Sequence, residues 1–473
     1  MRALQTDEDL ESFQEHLPAE ASECLFMLAA GYSMEEIEEE LAARGDNEPV
    51  DTEDFEKALQ HPDSKRRFAV ITSSDELMEM LNQPLAKWRI FLHPSQEKLA
   101  KSKYNGPIRV LGGAGTGKTV VAMHRAKFLA KNVFNDPTDK ILFTTFTKNL
   151  VQAINGNLRT LCGQDEMGRI DVTNLHAWAV RFMKSQGVNF RIANEKVIAE
   201  CWAEALSITG DADFDESFFR EEWEQVVQVN DVQSLQEYIK VPRVGRGTRI
   251  SRPQRAKIWK IFEEFQNSLT DRGVMLWLNV IKETRKYLEQ TGNILPYKAV
   301  IVDEGQDFHA EEYKLIRALV QEGINDLFIV GDAHQRIYGR KVVLGRCGIN
   351  IRGARSKKLK INYRTSEEIQ RWAIALLEGV TVDDLDGGVD EQKGYKSLLH
   401  GPNPLIKYFD QGNEEINYII SYIKELKSGG VVLDSICLVT REKNLLRDMY
   451  MPSLESAGIP CVQLDGREMD DGE

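Results

Sequence analysis

Cysteine is scarce in this sequence. Its six cysteines, Cys24, Cys162, Cys201, Cys347, Cys437 and Cys461, are scattered over 473 residues, with no C-x-x-C pair. That spacing excludes a zinc ribbon and a disulfide framework, and reduced thiols in a cytoplasmic protein are expected. No apolar run approaches the ~18 residues of a membrane span, and the first residues do not read as a signal peptide. No internal repeat or low-complexity segment is present. Basic residues are almost missing from the first 60 positions, which hold 3 of them against 18 acidic ones, a net of −15. The whole chain carries −14, so the remainder is +1. The acidity belongs to one end and does not exclude a basic groove elsewhere.

What is present is ordinary globular composition, 42% hydrophobic and 28% charged, with length for two to four structural units. The chain is organised around Gly112-Gly113-Ala114-Gly115-Thr116-Gly117-Lys118-Thr119, which fits G-x-x-x-x-G-K-[ST] at every fixed position. Ile108 to Leu111 reads as a short buried strand before it. Val120 to Lys131 reads as a helix after it, with Val121, Arg125, Phe128 and Leu129 at helical spacing. Glycines there let the backbone fold around phosphates and aim N–H groups inward, at a helix N-terminus. Lys118 can reach the β and γ phosphates, and Thr119 can ligate Mg²⁺. Gln96, sixteen residues upstream, can offer donor and acceptor to an adenine edge.

Residues 1–60 read as helical, with an apolar-rich helix over Ala19 to Ala30 and a capping box at Ser33-Met34-Glu35-Glu36. The Glu run that follows reads as a solvated helix face or as a small adaptor for a protein partner. Phe68 to Thr72 reads as a strand, and Asp75 to Leu81 as a helix.

Lys140 to Thr145 is a second strand of the main sheet, and Ile170 to Val172 a third. Ligands of open α/β sheets sit at the carboxyl ends of strands. Thr145, Phe146, Thr147 and His176 are therefore placed for binding, although His176 reads equally as a hydrogen-bonded structural histidine. Residues 180–295 are helical and rich in Trp and Glu. Within them Arg243, Arg246, Arg249, Arg252 and Arg255 recur every third residue with no acid between. That stretch reads either as a phosphate-tracking contact or as a solvated basic loop.

Tyr297 to Val302 is a buried strand ending in Asp303-Glu304-Gly305-Gln306-Asp307. Asp303 can hold a Mg²⁺ hydration shell and Glu304 can polarise the attacking water. Asp326 to Gly331 is the next strand, leading to Gln335, where an amide can sense a γ-phosphate. A basic stretch, Arg352 to Lys360, precedes Asn362-Tyr363-Arg364-Thr365. Arg364 can complete the charge around that phosphate, and Thr365 or Ser366 can cap the next helix. The tail offers strands at Leu405 to Phe409, Ser435 to Thr440 and Pro460 to Leu464, with helices at Asn413 to Lys427 and Asn444 to Ala457, a second βαβ pattern.

In this order and spacing the motifs resemble those of the UvrD/Rep-like superfamily 1 helicases, over residues 88–370 and in outline beyond. The resemblance implies an α/β P-loop NTPase with two RecA-like lobes built on parallel sheets, binding ATP and Mg²⁺ between them. It implies a first lobe over 88–179 and 296–358, a helical insertion over 180–295 and a partial second lobe over 359–473; residues 1–87, which exceed the family minimum, read as an acidic, mostly helical extension. Gln96 would read adenine with Tyr363 stacked on it; Gly112 to Thr119 would hold the phosphates; Thr119 and Asp303 would serve the metal. Lys118, Asp303, Glu304, Gln335 and Arg364 would be catalytic. Thr145, Phe146, Thr147 and His176 would line a groove for single-stranded DNA. Arg243, Arg246 and Arg249 would meet the strand or a forked duplex. The family moves 3′→5′. No membrane partner is expected, and a protein partner would dock on residues 1–60.

Three departures stand out. Val120 occupies the place of a frequent Arg. Tyr338 is followed by Gly339-Arg340-Lys341 instead of a base-stacking Trp, with an insert over Val342 to Ile351. The family's late motifs, a DNA-coupling loop and a second γ-phosphate arginine, are not reached before Glu473, so a fragment or a chain completed by another is expected. A nucleotide-gated regulatory module of a toxin–antitoxin or phage-defence assembly is the alternative. A P-loop kinase of small molecules fits least.

Overall fold

The computed structural model describes residues 94–463 except 210–213, 244–245, 293–294, 337–341, 352–354, 378, 381, 385–387 and 391–394, together with residues 24, 27, 28, 33–35, 37, 90 and 92. The strand expected at Phe68 to Thr72, the helix at Asp75 to Leu81, most of the helix and capping box expected within 19–36, and Tyr338 to Lys341 lie outside the described residues. The chain divides into two compact units, Met1–His400 and Gly401–Glu473.

The first unit is built on six parallel strands: β1 (Ile108–Gly112), β2 (Lys140–Thr145), β3 (Ile170–Asn174), β6 (Tyr297–Val302), β7 (Leu327–Gly331) and β8 (Ser356–Leu359), in the spatial order β3-β2-β6-β7-β1-β8. Two short strands intervene in sequence, β4 (Arg191–Ile192) and β5 (Val274–Met275), and pair only with each other. Register is fixed by pairs such as Val110↔Val330, Phe143↔Ile301 and Val302↔Ile329. The inner strands β1, β2, β6 and β7 read as mostly apolar runs because both faces are covered, while the edge strands β3 and β8 carry polar residues. Alternate residues go to opposite layers, since strand side chains alternate. Leu142, Val300, Val302 and Ile329 enter one core, while Ile141, Phe143, Ile301 and Val330 enter the other.

Helices α1 (Pro94–Lys101), α2 (Lys118–Asn132) and α3 (Lys148–Leu161) supply residues to the second core. After the short α4 (Gln164–Arg169), α5 (Leu175–Ser185) serves the first. Asn174 starts α5 by accepting the N–H groups of His176 (3.0 Å) and Ala177 (3.2 Å).

The insertion comprises α6 (Glu195–Thr209), α7 (Glu216–Glu222), a π-helical turn (Trp223–Gln228), α8 (Leu235–Lys240) and α9 (Arg252–Asp271). Its core is aromatic, with Trp202 stacked on Phe265 at 3.8 Å between centroids. Glu222 is fully buried beside it. Tyr238 donates to its Oε1 at 2.9 Å, Arg243 meets it at 2.6 and 2.7 Å, and Arg246 Nε reaches Oε2 at 3.1 Å. Arg246 also pairs with Glu221, and Arg255 caps the end of α8 through Ile239 O and Val241 O. The expected contact of Arg243 and Arg246 with nucleic acid is therefore corrected. Both side chains are buried counter-ions of a carboxylate some twenty residues upstream, because a buried charge requires pairing. Arg249 is exposed.

Helices α10 (Trp277–Thr291) and α11 (Ala310–Ala318) return the chain to the sheet. Beyond β8, β9 (Ile361–Ser366) is followed by α12 (Glu367–Ala375), with Ser366 as its N-cap. The short strands β10 (Val382–Asp383) and β11 (Val389–Asp390) pair with each other, and β12 (Lys396–Leu399) pairs in parallel with β9.

The second unit holds α13 (Gly412–Ser428) and a broken helix that ends in α14 (Met451–Ser456). The strands expected at 405–409, 435–440 and 460–464 do not form among its described residues. A strand exists only through a ladder with a neighbour, and these segments have none there; Tyr408, Val439 and Val462 are largely exposed.

Truncating the buried carboxylate tests the clamp. Glu222→Ala should destabilise the protein by about 3–5 kcal/mol, because it strips two guanidiniums of the buried counter-charge they share, whereas Arg249→Ala should change stability by less than about 0.5 kcal/mol. Urea midpoints measure both.

Candidate functional site

The site forms where β1, β6 and β7, neighbours in the sheet, end on the same side. After β1 the chain turns through Gly115 (φ 75°) and Gly117 (φ 82°), left-handed conformations that favour glycine, into the first turn of α2. The loop is tightly enclosed. A Cβ on Gly112 would lie 2.4 Å from Thr116 Oγ1, one on Gly113 3.2 Å from the Tyr395 ring, and one on Gly115 2.1 Å from Asn362 Oδ1. Thr116 Oγ1 donates to Gly113 O at 2.9 Å. Gln96, expected to read adenine, is buried and donates one of its two amide N–H groups to Thr116 O at 2.7 Å.

Lys118 is buried at the start of α2. Its Nζ donates to Gly112 O (2.9 Å) and Gly113 O (2.8 Å) and lies 3.7 Å from Asp332 Oδ2 at the end of β7. Thr119 Oγ1 donates to Asp303 Oδ2 at 2.9 Å, joining α2 to the end of β6. The other oxygen of Asp303 is buried without a partner. Burial foremost, and then the Glu304 charge, push the Asp303 carboxyl up to about 7, against the opposing pull of the Thr119 hydroxyl and Lys118. Among the described residues no group of three or more His, Cys, Asp or Glu side chains is arranged to hold a metal. A cation would thus take one carboxylate, one hydroxyl and ligand or water oxygens, the donor set by which Mg²⁺ is held.

Glu304 follows with φ 53°, one of three non-glycine residues described with positive φ. Such a conformation costs of order 1–3 kcal/mol and persists only where its surroundings enforce it. Gln306 Nε2 donates to Glu304 Oε2 at 2.7 Å, and its Oε1 accepts Asp332 N–H at 2.9 Å, so one amide ties the ends of β6 and β7. Asp307 is pushed up to about 6 by burial and by Glu304. Gln335 lies exposed on the turn after Asp332, with its N–H donated to Asp332 O at 3.1 Å.

β9 closes the loop from the other side. Tyr363 N–H donates to Gly115 O at 3.1 Å. Asn362 and the Arg364 Cβ face Gly115, while Ile361 and Tyr363 pack on Met27 and Ile37. Arg364 itself is exposed.

A second set of residues gathers at the ends of β2 and β3. Phe146 meets Phe308 edge-on at 6.0 Å. His176 Nε2 lies 3.2 Å from Glu312 Oε1, and its ring meets Trp277 edge-on at 5.3 Å. Thr147 is exposed, and its hydroxyl accepts Leu150 N–H to cap α3. Thr145 is corrected: as the last residue of a strand buried from Ile141 onward it has no exposed surface for a ligand. Gln306, Asp332 and Trp277 escaped the sequence reading. Gln306 stood inside the acidic motif and Asp332 directly after a strand, so position alone was the available signal. Trp277, 46% exposed, betrays itself only through the neighbour it meets in space.

A parallel sheet with a glycine-rich strand-to-helix loop, a buried lysine and a carboxylate hydrogen-bonded to the loop threonine defines a P-loop nucleotide-binding protein. The UvrD/REP helicase N-terminal domain matches residues 92–341 and the UvrD-like helicase C-terminal domain residues 357–469. The chain belongs to the UvrD/REP helicase family. It is similar to the ATP-dependent DNA helicase PcrA of Leuconostoc citreum, 24% identical over 381 residues, covering 77% of this chain and 48% of that protein. PcrA of Staphylococcus epidermidis is 22% identical over 399 residues, covering 80% and 51%. PcrA of Staphylococcus aureus is 23% identical over 250 residues, covering 52% and 34%. The chain spans about half the length of the first two. Among the described residues no helix is long and apolar enough to cross a membrane.

Two substitutions check the geometry. Gly115→Ala should abolish nucleotide binding in a fluorescent-ATP titration, since its Cβ cannot coexist with Asn362. The metal-free protein binds the Asp303 proton more tightly folded than unfolded, so this group's contribution to stability falls as pH rises from about 4 to about 7. Asp303→Asn should therefore raise the metal-free Tm over wild type at pH 8 and leave it nearly unchanged at pH 4.

Proposed function

We propose that this chain is the ATP-hydrolysing motor portion of a 3′→5′ DNA helicase or translocase. The observation that carries this reading is the convergence of Lys118, the Thr119–Asp303 pair and Glu304 at the ends of β1 and β6, which flank β7. In this proposal the N–H groups of residues 113–118 cradle the phosphates. The Lys118 amine exchanges the carbonyls of Gly112 and Gly113 for phosphate oxygens of higher charge. Thr119 and Asp303 hold Mg²⁺, which supplies charge neutralisation at the phosphates. Glu304, held by Gln306, accepts the proton of the attacking water. Gln335 and Arg364 contact the γ-phosphate, Gln96 reads the base, and Tyr363 stacks on it. Single-stranded DNA lies along Phe146, Thr147, His176 and Trp277, whose aromatic faces accept any base, with Arg249 free to meet a phosphate. The lobe boundaries expected from the sequence, the cytoplasmic location and the preference for single strands belong to this proposal.

A second reading is supported by one observation, the packing of Met27 and Ile37 on the strand that carries Tyr363. Nucleotide binding would then alter a surface formed by residues 1–60, and the chain would serve as a gated docking module. Pull-down with and without ATP, comparing the full chain with a Met27→Asp/Ile37→Asp variant, separates this from the motor.

The motor reading requires ATP turnover that rises with oligo-dT. Lys118→Ala and Glu304→Gln should each lower the stimulated rate by about 100-fold or more, with oligo-dT binding weakening steeply with salt. ATP turnover indifferent to DNA would refute it.

A further inference from the structure

The first turn of α11 touches both sets of residues at once, and the mechanism above makes no use of it. Glu312 is buried, at 1% exposure. Its Oε2 accepts His309 N–H at 2.5 Å, closing a capping box, and its Oε1 lies 3.2 Å from His176 Nε2. A capping box needs neither burial nor a histidine partner, since such glutamates work well in solvent. A buried carboxylate is costly unless compensated, so its placement against His176, itself 22% exposed, calls for another account. The next residue supplies the other end. Tyr313 is buried, and its hydroxyl donates to Gly305 O, the carbonyl directly after Glu304. Phe308, immediately before the N-cap His309, meets Phe146 edge-on. The segment from Phe308 to Tyr313 thus touches His176, Phe146 and the backbone after Glu304. Glu304 is in a left-handed conformation that only its surroundings maintain.

We propose that Glu312 is a positioning residue that transmits occupancy at His176 to Glu304, through Tyr313 and Gly305, so that a bound single strand sets the general base for hydrolysis. This rests on the motor reading given above. A strand contacting His176 and Phe146 shifts the first turn of α11. The Tyr313 hydroxyl carries that shift to Gly305, which fixes the backbone that aims the Glu304 carboxylate.

The test uses the full chain and compares wild type, Glu312→Ala, Glu312→Gln and Tyr313→Phe. ATP turnover is measured with and without oligo-dT, oligo-dT affinity by fluorescence anisotropy, and folding by Tm. Glu312→Ala should keep basal turnover within about twofold and lose stimulation by about tenfold, the size of an ordinary coupling between sites. Oligo-dT affinity should change by less than about threefold, and Glu312→Gln, which keeps an oxygen for His309 N–H and an amide for His176, should restore at least half of the stimulation. Full stimulation in Glu312→Ala overturns the proposal, as does a parallel fall of basal and stimulated rates, the mark of a merely structural role. Should Glu312→Ala melt below the assay temperature, Tyr313→Phe decides. Loss of about fivefold in stimulation with oligo-dT affinity kept supports the relay, and unchanged stimulation overturns it. Wild type without stimulation sinks the motor reading itself; stimulated wild type with a stimulated Glu312→Ala sinks only the relay.

Discussion

A buried ammonium governs the nucleotide end of this molecule. Lys118 is withdrawn from water at the start of α2 and satisfied by two carbonyls of its own loop and a carboxylate 3.7 Å away. Such a charge tolerates burial only while it is paired. The carbonyls stand at the end of β1 and the first residue after it, and the carboxylate directly follows β7, so the pairing of these two strands and the position of the amine are mutually dependent. Gln306 extends the dependence to β6 by holding Glu304 with one end of its amide and the Asp332 backbone with the other.

The insertion solves a similar problem with the opposite sign. Glu222 is an anion inside an aromatic core, and it is satisfied by a phenol and two guanidiniums. The Phe218 ring lies under both arginines, at 5.9 and 5.4 Å, and adds cation–π attraction. The arginines are thereby held against the helices that flank the loop, giving a basic sequence a structural duty.

Where the determinants are local, the chain is legible as written. The strand, glycine loop and helix around Lys118 lie within twenty-five residues, and the apolar run before Asp303 announces a strand covered on both faces. Serine at 366 and the turn before α12 are equally local. What failed depended on distance. Arg243 and Arg246 read as free cations because their partner lies some twenty residues upstream, across a π-helical turn. The extended segments of the tail carry strand-forming residues, yet strand formation requires a neighbour that composition cannot supply. Thr145 was assigned by its position at the end of a strand, while its exposure depended on the layers packed above it. Trp277 and Glu312 become meaningful only when folding brings them to His176.

The strand β9 has two faces with different tenants. Asn362 and Arg364 press on the glycine turn, and Ile361 and Tyr363 lie against Met27 and Ile37. Its backbone therefore stands as a partition between Met27 and Ile37 on one side and the glycine turn on the other. The same short strand thus gives Met27 and Ile37 an apolar seat and, through Tyr363 N–H, a hydrogen bond to the Gly115 carbonyl, so one run of backbone serves a hydrophobic contact and an anion-seeking turn together.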